Sequence, residues 1–348
     1  MNKQRLKSVF VFIMLLVVLG SVALVSCKNE TEEYSNLDIA QLKTLAKENP
    51  HAQFELAERY YNGKDLEKDF TEAVKWYRAA ANQDHARAMT KLGLCYARSE
   101  GVPEAEKNMA EALKLWNAAA EKDDPEAALC LGSCYHEGIG VTKNLETAVK
   151  WIRRSAEEGY ADSQSAYGDL YYNGEGVKKD LKQAFKWYQN AADQGNAYSQ
   201  YCLGYLYRNG EGVATDLEKS FEWYGKAAEQ GYEDSEYVVG MMHYNGKGTT
   251  QNYLKAVEWF QKAAAKGNRD ACSILGFCYY MGQGVYQDNK EAYYWTIRGG
   301  PSKNEALASI KNLLEYEIPA LERIEISRRA LKDGIEAFRE EYKDSFLD

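Results

Sequence analysis

Seven tryptophans, Trp76, Trp116, Trp151, Trp187, Trp223, Trp259 and Trp295, recur at steps of 40, 35, 36, 36, 36 and 36 residues. A second series keeps the same time: Ala57, Gly93, Gly132, Gly168, Gly204, Gly240 and Gly276 follow at steps of 36, 39, 36, 36, 36 and 36. A fixed period of about 20 to 50 residues marks stacked structural repeats. One such repeat has too little apolar surface to fold alone, so neighbours must pack into a shared core. The product is more often a long ligand-facing surface than a closed catalytic pocket. Gly93 to Trp116 spans 23 residues where the other repeats have 19, which predicts a four-residue insertion around Ser99–Glu106.

The segment Ala197 to Gln230 shows what one repeat is made of. Ser199, Leu203, Leu206 and Tyr207 recur at helical spacing and predict a first helix running to Arg208. Gly204 sits in the middle of that helix, where glycine costs about 0.8–1 kcal/mol against alanine. Its recurrence in six of seven repeats predicts a neighbour too close for a β-carbon. Gly210 then supplies a left-handed helix end. Asp216 is the N-cap of a second helix, with Leu217, Ser220, Phe221, Trp223 and Tyr224 as the expected inward stripe. The expected fold is all-α: a right-handed α/α solenoid of seven helix–turn–helix repeats of about 36 residues.

These blocks resemble the Sel-1-like repeat, a relative of the tetratricopeptide repeat with a longer glycine-containing turn. The resemblance rests on Leu-Gly-x-x-Tyr (Leu131-Gly132…Tyr135, Leu203-Gly204…Tyr207, Leu275-Gly276…Tyr279), on the Gly-x-Gly-Val turn, and on Ala-x-x-Trp-Tyr-x-x-Ala. The last is clearest at Ala73…Trp76-Tyr77…Ala80 and Ala184…Trp187-Tyr188…Ala191. The expected organisation places the seven repeats over residues 49–300, with an N-terminal capping helix at 36–48 and a C-terminal helical cap at 301–348. Leu307, Ile310, Leu313 and Leu314 form one amphipathic stripe of that cap. Leu321, Ile324, Ile326, Leu331, Ile335 and Phe338 form another, which either closes the core or offers a free apolar face to a partner.

The N-terminus reads as a targeting segment. Lys3, Arg5 and Lys7 precede an apolar run from Val9 to Leu24, which is short for a span that needs roughly 20 residues. Leu24-Val25-Ser26-Cys27 resembles the lipobox of bacterial lipoproteins. That resemblance implies a signal peptide over 1–26, diacylation of Cys27, a polar tether over 27–35, and attachment to the membrane through the lipid. Lys28 after the cysteine implies the outer membrane of a bacterial cell envelope, facing the periplasm or the exterior. The chain carries a net charge of −9, and loss of the signal removes three more positive charges. No basic block survives, which argues against nucleic acid.

The residues that could carry chemistry are sparse. His51, His85, His136 and His243 fall in separate repeats without metal-ligand spacing, and are expected on the surface or on the concave face. The Gly-x-Gly turns follow helices and lack a Gly-Lys-Ser/Thr continuation, so they are turn glycines and not phosphate loops. Cys95, Cys134 and Cys278 share a slot with Leu170, Leu206 and Met242, so the cysteines read as small buried hydrophobes. A Cys95–Cys134 cross-repeat disulfide is the alternative. No catalytic residue, metal or cofactor is expected. The resemblance leaves a cell-wall-related enzyme, β-lactamase-like or peptidoglycan-acting, as the second functional class, but the Ser-x-x-Lys, Ser-Asp-Asn and Lys-Thr-Gly set is missing. Glycan binding is a third.

Tyrosine is abundant, at 27 residues. Counting from the mid-helix glycine, positions −3, +1 and +4 share one helix face. That face carries Tyr172 in the fourth repeat, Tyr201, Tyr205 and Arg208 in the fifth, Tyr237, Met241 and Tyr244 in the sixth, and Phe277 and Tyr280 in the seventh. Such residue types are enriched where partners bind, though the rings could equally fill space between helices. The expected function is therefore a lipid-anchored envelope scaffold or adaptor that binds a protein or peptide partner in a concave groove.

Overall fold

The computed structural model describes residues 34–102, 108–300 and 305–341, in which all regular structure is helical. The signal segment, Cys27 and nearly all of the tether lie outside the described residues, as do the side chains of Leu307, Ile335 and Phe338. Helix α1 (Ile39–Leu45) precedes seven hairpins, each of a first and a second helix. These are α2/α3 (Pro50–Asn62, Phe70–Ala81), α4/α5 (Ala86–Arg98, Met109–Ala120), α6/α7 (Pro125–Glu137, Leu145–Glu157) and α8/α9 (Ala161–Asn173, Leu181–Asp193), followed by α10/α11 (Ala197–Asn209, Leu217–Glu229), α12/α13 (Glu233–Asn245, Tyr253–Ala265) and α14/α15 (Arg269–Met281, Asn289–Gly299). Helices α16 (Glu305–Glu317) and α17 (Ala320–Glu341) complete the described chain. No helix among the described residues is long and apolar enough to cross a membrane.

The helix ends follow from local chemistry. Every second helix starts on an aspartate or asparagine, as Asp69, Asp180 and Asp216 do, whose side chain accepts from the backbone N–H of the second or third helical residue. First helices close on a left-handed residue, such as Gly210 at φ 72°. The second turn glycine has a further task. A β-carbon on Gly248, at φ +73°, would run into the Leu217 carbonyl at the start of the previous repeat's second helix. The Gly-x-Gly turn is thus a backbone contact between stacked hairpins.

The hairpins form two compact units, one up to Gln194 and one from Gly195. Within the N-terminal unit, α1 packs on α2, and the second helix of each hairpin packs on the first helix of the next: α3 on α4, α5 on α6, α7 on α8. Within the C-terminal unit, α11 packs on α12 and α13 on α14, while α15 receives both α16 and α17.

The mid-helix glycine is a notch. A β-carbon on Gly204 would lie 2.7 Å from Tyr224 Cγ, one on Gly168 2.7 Å from Tyr188, and one on Gly240 2.5 Å from Phe260. The side chains that fill the notch are buried: Tyr188 and Tyr224 are at most 2% exposed, and Phe260 is fully buried. This corrects the tryptophan reading. Six of the seven tryptophans are half-buried, because they stand one residue before the notch filler, about 100° around the helix. Several carry a cation over the ring, with Lys226 3.8 Å from Trp223 and Lys262 3.9 Å from Trp259. Only Trp116 is fully buried, and it fills the Gly93 notch itself. Leu115 therefore occupies the tryptophan slot of the second repeat. Aligned that way the insertion there is three residues and not four, matching its 39-residue length against 36 for the next repeat. Leu217 and Trp223 likewise leave the inward stripe, Phe221 stays half-buried against the cluster of Tyr224, Val239 and Met242, and Ser220 and Tyr224 are buried.

Candidate partner-binding face

The face carrying positions −3, +1 and +4 of the first helices is built differently in the two units. In the N-terminal unit most of it is sealed. Phe54, Thr90, Leu94, Leu129, Ser133, His136, Ser165 and Asp169 are all buried. Its carboxylates are committed inward: Tyr77 Oη donates to Glu58 (2.5 Å) and Tyr188 Oη to Asp169 (2.6 Å). Tyr172 is half-buried there, with the Lys179 ammonium 5.3 Å from its ring centroid.

In the C-terminal unit none of the nine positions is fully buried. Tyr201 packs edge-on to Tyr224 (5.4 Å) and against Tyr232 (5.2 Å), leaving part of its ring in solvent. Tyr205 is half-buried beneath the exposed Arg208, whose guanidinium lies 5.7 Å from its ring. Tyr237 leans on Phe260 at 6.0 Å, and Met241 is half-buried beside it on α12. Burial raises the Tyr201 phenol, helped by Asp234, and burial with Asp270 raises that of Tyr237. Burial pushes Tyr244 up to about 12. These phenols stay neutral at neutral pH: hydrogen-bonding amphipathic rings, not bases or nucleophiles.

Two sequence-selected groups carry structural duties as well. Position +4 reaches the turn of the following repeat: Tyr61 Oη donates to Glu100 (2.6 Å), His136 Nε2 meets Glu175 (2.6 Å), and Tyr244 Oη donates to Gln283 (2.5 Å). Tyr244 is thus partly a clasp between hairpins. Phe277 and Tyr280 pack against a cluster that includes Ile310 and Leu314 of α16 and Ile318 just after it, so the cap shares them.

Two of the four histidines depart from the expected placement on the surface or the concave face. His136 and His243 are buried. His51 and His85, 34 positions apart, meet edge to face at 4.8 Å. His85 Nδ1 accepts the Ala88 N–H as the N-cap of α4, so that nitrogen must be unprotonated. Burial, the neighbouring His51 and Arg87 lower the His85 pKa to about 4. Cys95, Cys130, Cys134, Cys202, Cys272 and Cys278 are all free and buried, so no Cys95–Cys134 bond is present. Burial lifts Cys95, Cys134 and Cys278 to about 12, which removes them as nucleophiles near neutral pH. Among the described residues no three His, Cys, Asp or Glu side chains gather as a metal cage.

One concavity escaped the sequence reading. A groove of about 970 Å³ lies between α11 and α13, lined by Phe221, Gly225, Val239, His243 and Trp259 with lysines and glutamates at its rim. Gly225 opens it, since a β-carbon there would meet nothing within 4 Å. The signal was available: the aligned positions in other repeats hold Arg78, Asn117, Arg153, Gln189, Gln261 and Ile297.

Comparison with known proteins accords with this architecture. The family model described as Sel1 repeat matches residues 50–85, 86–124, 125–160, 161–196, 197–232, 233–268 and 269–299. The chain is similar to a Sel1 repeat protein from Oxalobacter formigenes of known structure, with 29% identity, a TM-score of 0.60, and coverage of 88% of this chain and 86% of that one. It is also similar to c5321, a protective antigen of uropathogenic Escherichia coli strains displaying an SLR fold, at 25% identity and a TM-score of 0.43, over 90% and 98% of the two chains. A curated relative, the ERAD-associated E3 ubiquitin-protein ligase component HRD3B of Arabidopsis thaliana, is 38% identical over 55 residues. That match spans 16% of this chain and only 9% of the plant protein.

Proposed function

The chain belongs to the Sel1 repeat family, and from that premise we propose that it is a lipid-anchored scaffold of the bacterial envelope that docks a protein or peptide on the aromatic face of its C-terminal unit. Sel1 repeat proteins generally mediate protein–protein interaction, and their fold is typically a non-catalytic scaffold. The observation that carries the reading is the half-exposure of Tyr201, Tyr205, Tyr237 and Met241 on neighbouring first helices, where the equivalent N-terminal positions are mostly closed. Half-buried rings suit docking: their inner edges are already fixed by packing, so little side-chain entropy is lost when a partner covers the rest. Neutral phenols add hydrogen bonds that orient it.

Photo-crosslinking from position 205 in envelope membranes identifies the partner. With it in hand, Tyr205→Ala combined with Met241→Ala should weaken binding by about 2 kcal/mol, roughly thirtyfold, with the melting temperature nearly unchanged. Unchanged affinity would remove this face from the proposal. Equal loss of fold and binding would show that the rings only fill space. The anchor is tested separately. Cys27→Ser should abolish incorporation of a labelled fatty acid and release the protein from the membrane fraction, and persistent labelling would place the lipid elsewhere.

A further inference from the structure

The layer of second helices lacks a side chain at one recurring place. Two residues after the tryptophan slot, every repeat but the fifth carries a polar or branched side chain, and the fifth has Gly225. A β-carbon there would meet nothing within 4 Å, so packing does not demand glycine. Nor does a turn, because Gly225 lies inside α11, where glycine is the least favourable residue after proline. What the missing side chain leaves is the groove of about 970 Å³ between α11 and α13.

That groove is a trough between two helices. Its residues run from Phe221 to Glu229 on α11 and from Lys255 to Ala265 on α13, about 12 and 15 Å at 1.5 Å per residue. Phe221, Val239, Trp259 and His243 contribute its apolar surface. Burial and then Lys255 lower the His243 pKa, so that ring is neutral near pH 7. The two walls differ in charge. Glu222, Lys226 and Glu229 make the α11 side net −1, and Lys255, Glu258 and Lys262 make the α13 side net +1. Lys226 and Lys262 stand over Trp223 and Trp259 (3.8 and 3.9 Å) instead of closing on the glutamates four residues before them. Among the described residues none of these six charges is in an ion pair, whereas Lys75–Glu72, Lys114–Glu111 and Lys150–Glu146 are paired on earlier second helices.

We propose that this trough seats a short amphipathic helix of a partner protein, with its apolar stripe on Phe221 and Trp259, a basic flank along α11 and an acidic flank along α13. Both walls are helices whose backbone is bonded within itself, so an extended peptide finds no edge to pair with. A helix brings its own backbone hydrogen bonds and loses none when covered. The trough holds about two to three of its turns, and the opposed charge of the walls sets which flank faces which side. None of the trough's residues belongs to the face carrying Tyr205 and Met241, so this surface can be tested apart from that one.

Fluorescence anisotropy on the full chain in mild detergent tests this, with a labelled, stapled helix of about 14 residues as the probe. The probe carries leucines at helical spacing, lysines along one flank and glutamates along the other. Reversing its direction exchanges the flanks, so the controls carry lysine on both flanks or glutamate on both. The mixed helix should bind saturably and roughly tenfold tighter than either control. Gly225→Gln restores the side chain of the neighbouring repeats and should weaken binding by roughly tenfold or more. Its melting temperature should be unchanged or higher, because glutamine favours a helix over glycine. Lys255→Glu makes the α13 wall net −1 and should turn the preference toward the lysine-flanked control. Tyr205→Ala with Met241→Ala should leave the probe's affinity as it was; a loss there would move the probe to the first-helix face and overturn the proposal. Absence of saturable binding, equal affinity for the three helices, or equal affinity of Gly225→Gln and the unaltered chain also overturns it. So does a change in sedimentation caused by Gly225→Gln alone, which would give the trough to a second copy.

Discussion

The first-helix face is built twice in this molecule, with one backbone and two outcomes. In the N-terminal unit its positions hold short side chains, Thr90, Ser133, Ser165 and Asp169, and larger ones, Phe54, Leu94, Leu129 and His136, all of them buried. The C-terminal unit places Tyr205, Tyr237, Met241 and Phe277 at matching positions, and these extend past the packed layer into half-exposure. Beneath both lies the same notch, filled by Tyr188 in one unit and Tyr224 in the other. Repetition therefore preserves the inner contact and leaves the outer atoms free to differ. Where the face is closed Asp169 is bonded internally, to Tyr188; where it is open, ring surface is left over for a partner.

The largest expected effect tests the shared layer. Tyr188→Ala should cost about 3–5 kcal/mol, as truncation of a large buried aromatic does, and Trp187→Ala clearly less. Chemical denaturation of the two variants measures this, and a reversed order would restore the tryptophans as the core. A smaller effect separates the units. Tyr188→Phe takes away the donor to the buried Asp169 and should cost about 1–3 kcal/mol. The fifth repeat has Tyr205 at the position of Asp169, so Tyr224→Phe removes no bond to a carboxylate there and should cost less. Equal losses would mean that the Asp169 bond adds nothing to the closed face.

The smallest effect is a pH dependence seated in the N-terminal unit. His85 has its pKa lowered from 6.5 to about 4 by burial. Its contribution to stability is complete above pH 6.5, where the imidazole is neutral whether the chain is folded or not. Between about 6.5 and 4 the unfolded chain binds the proton and the folded chain does not, so stability falls as pH falls. His85→Asn keeps an N-cap acceptor without a titrating ring. The variant's melting temperature should decline less across that window, and parallel curves would assign the slope to other groups.

Much of the architecture was legible because the constraint repeats. A glycine notch needs one filler per repeat, so the period survives changes in what the filler is. The same economy misled the tryptophan reading: Trp116 lies one residue from the slot of the other six, and composition at that distance does not separate the ring that fills the notch from the one beside it. The candidate face was legible as a set of positions. Its exposure was not, because Tyr244 also clasps Gln283 and the cap covers part of Phe277 and Tyr280. These are contacts from residues 30 or more positions away, and periodicity within one helix carries no trace of them. The meeting of His51 with His85 was missed for the same reason.

What the amino-acid sequence determined by itself is local and periodic: seven hairpins, their caps and turns, and a glycine in nearly every first helix where a second helix must approach. These follow from backbone geometry and hydrogen bonding within a few residues, which side-chain identity dictates directly. Only the tertiary structure decided which ring fills each notch, which stretch of the first-helix face stays open, and that Leu321, Ile324 and Leu331 of α17 stand exposed. Exposure is a property of what neighbouring elements cover, so it exists only once the hairpins are stacked.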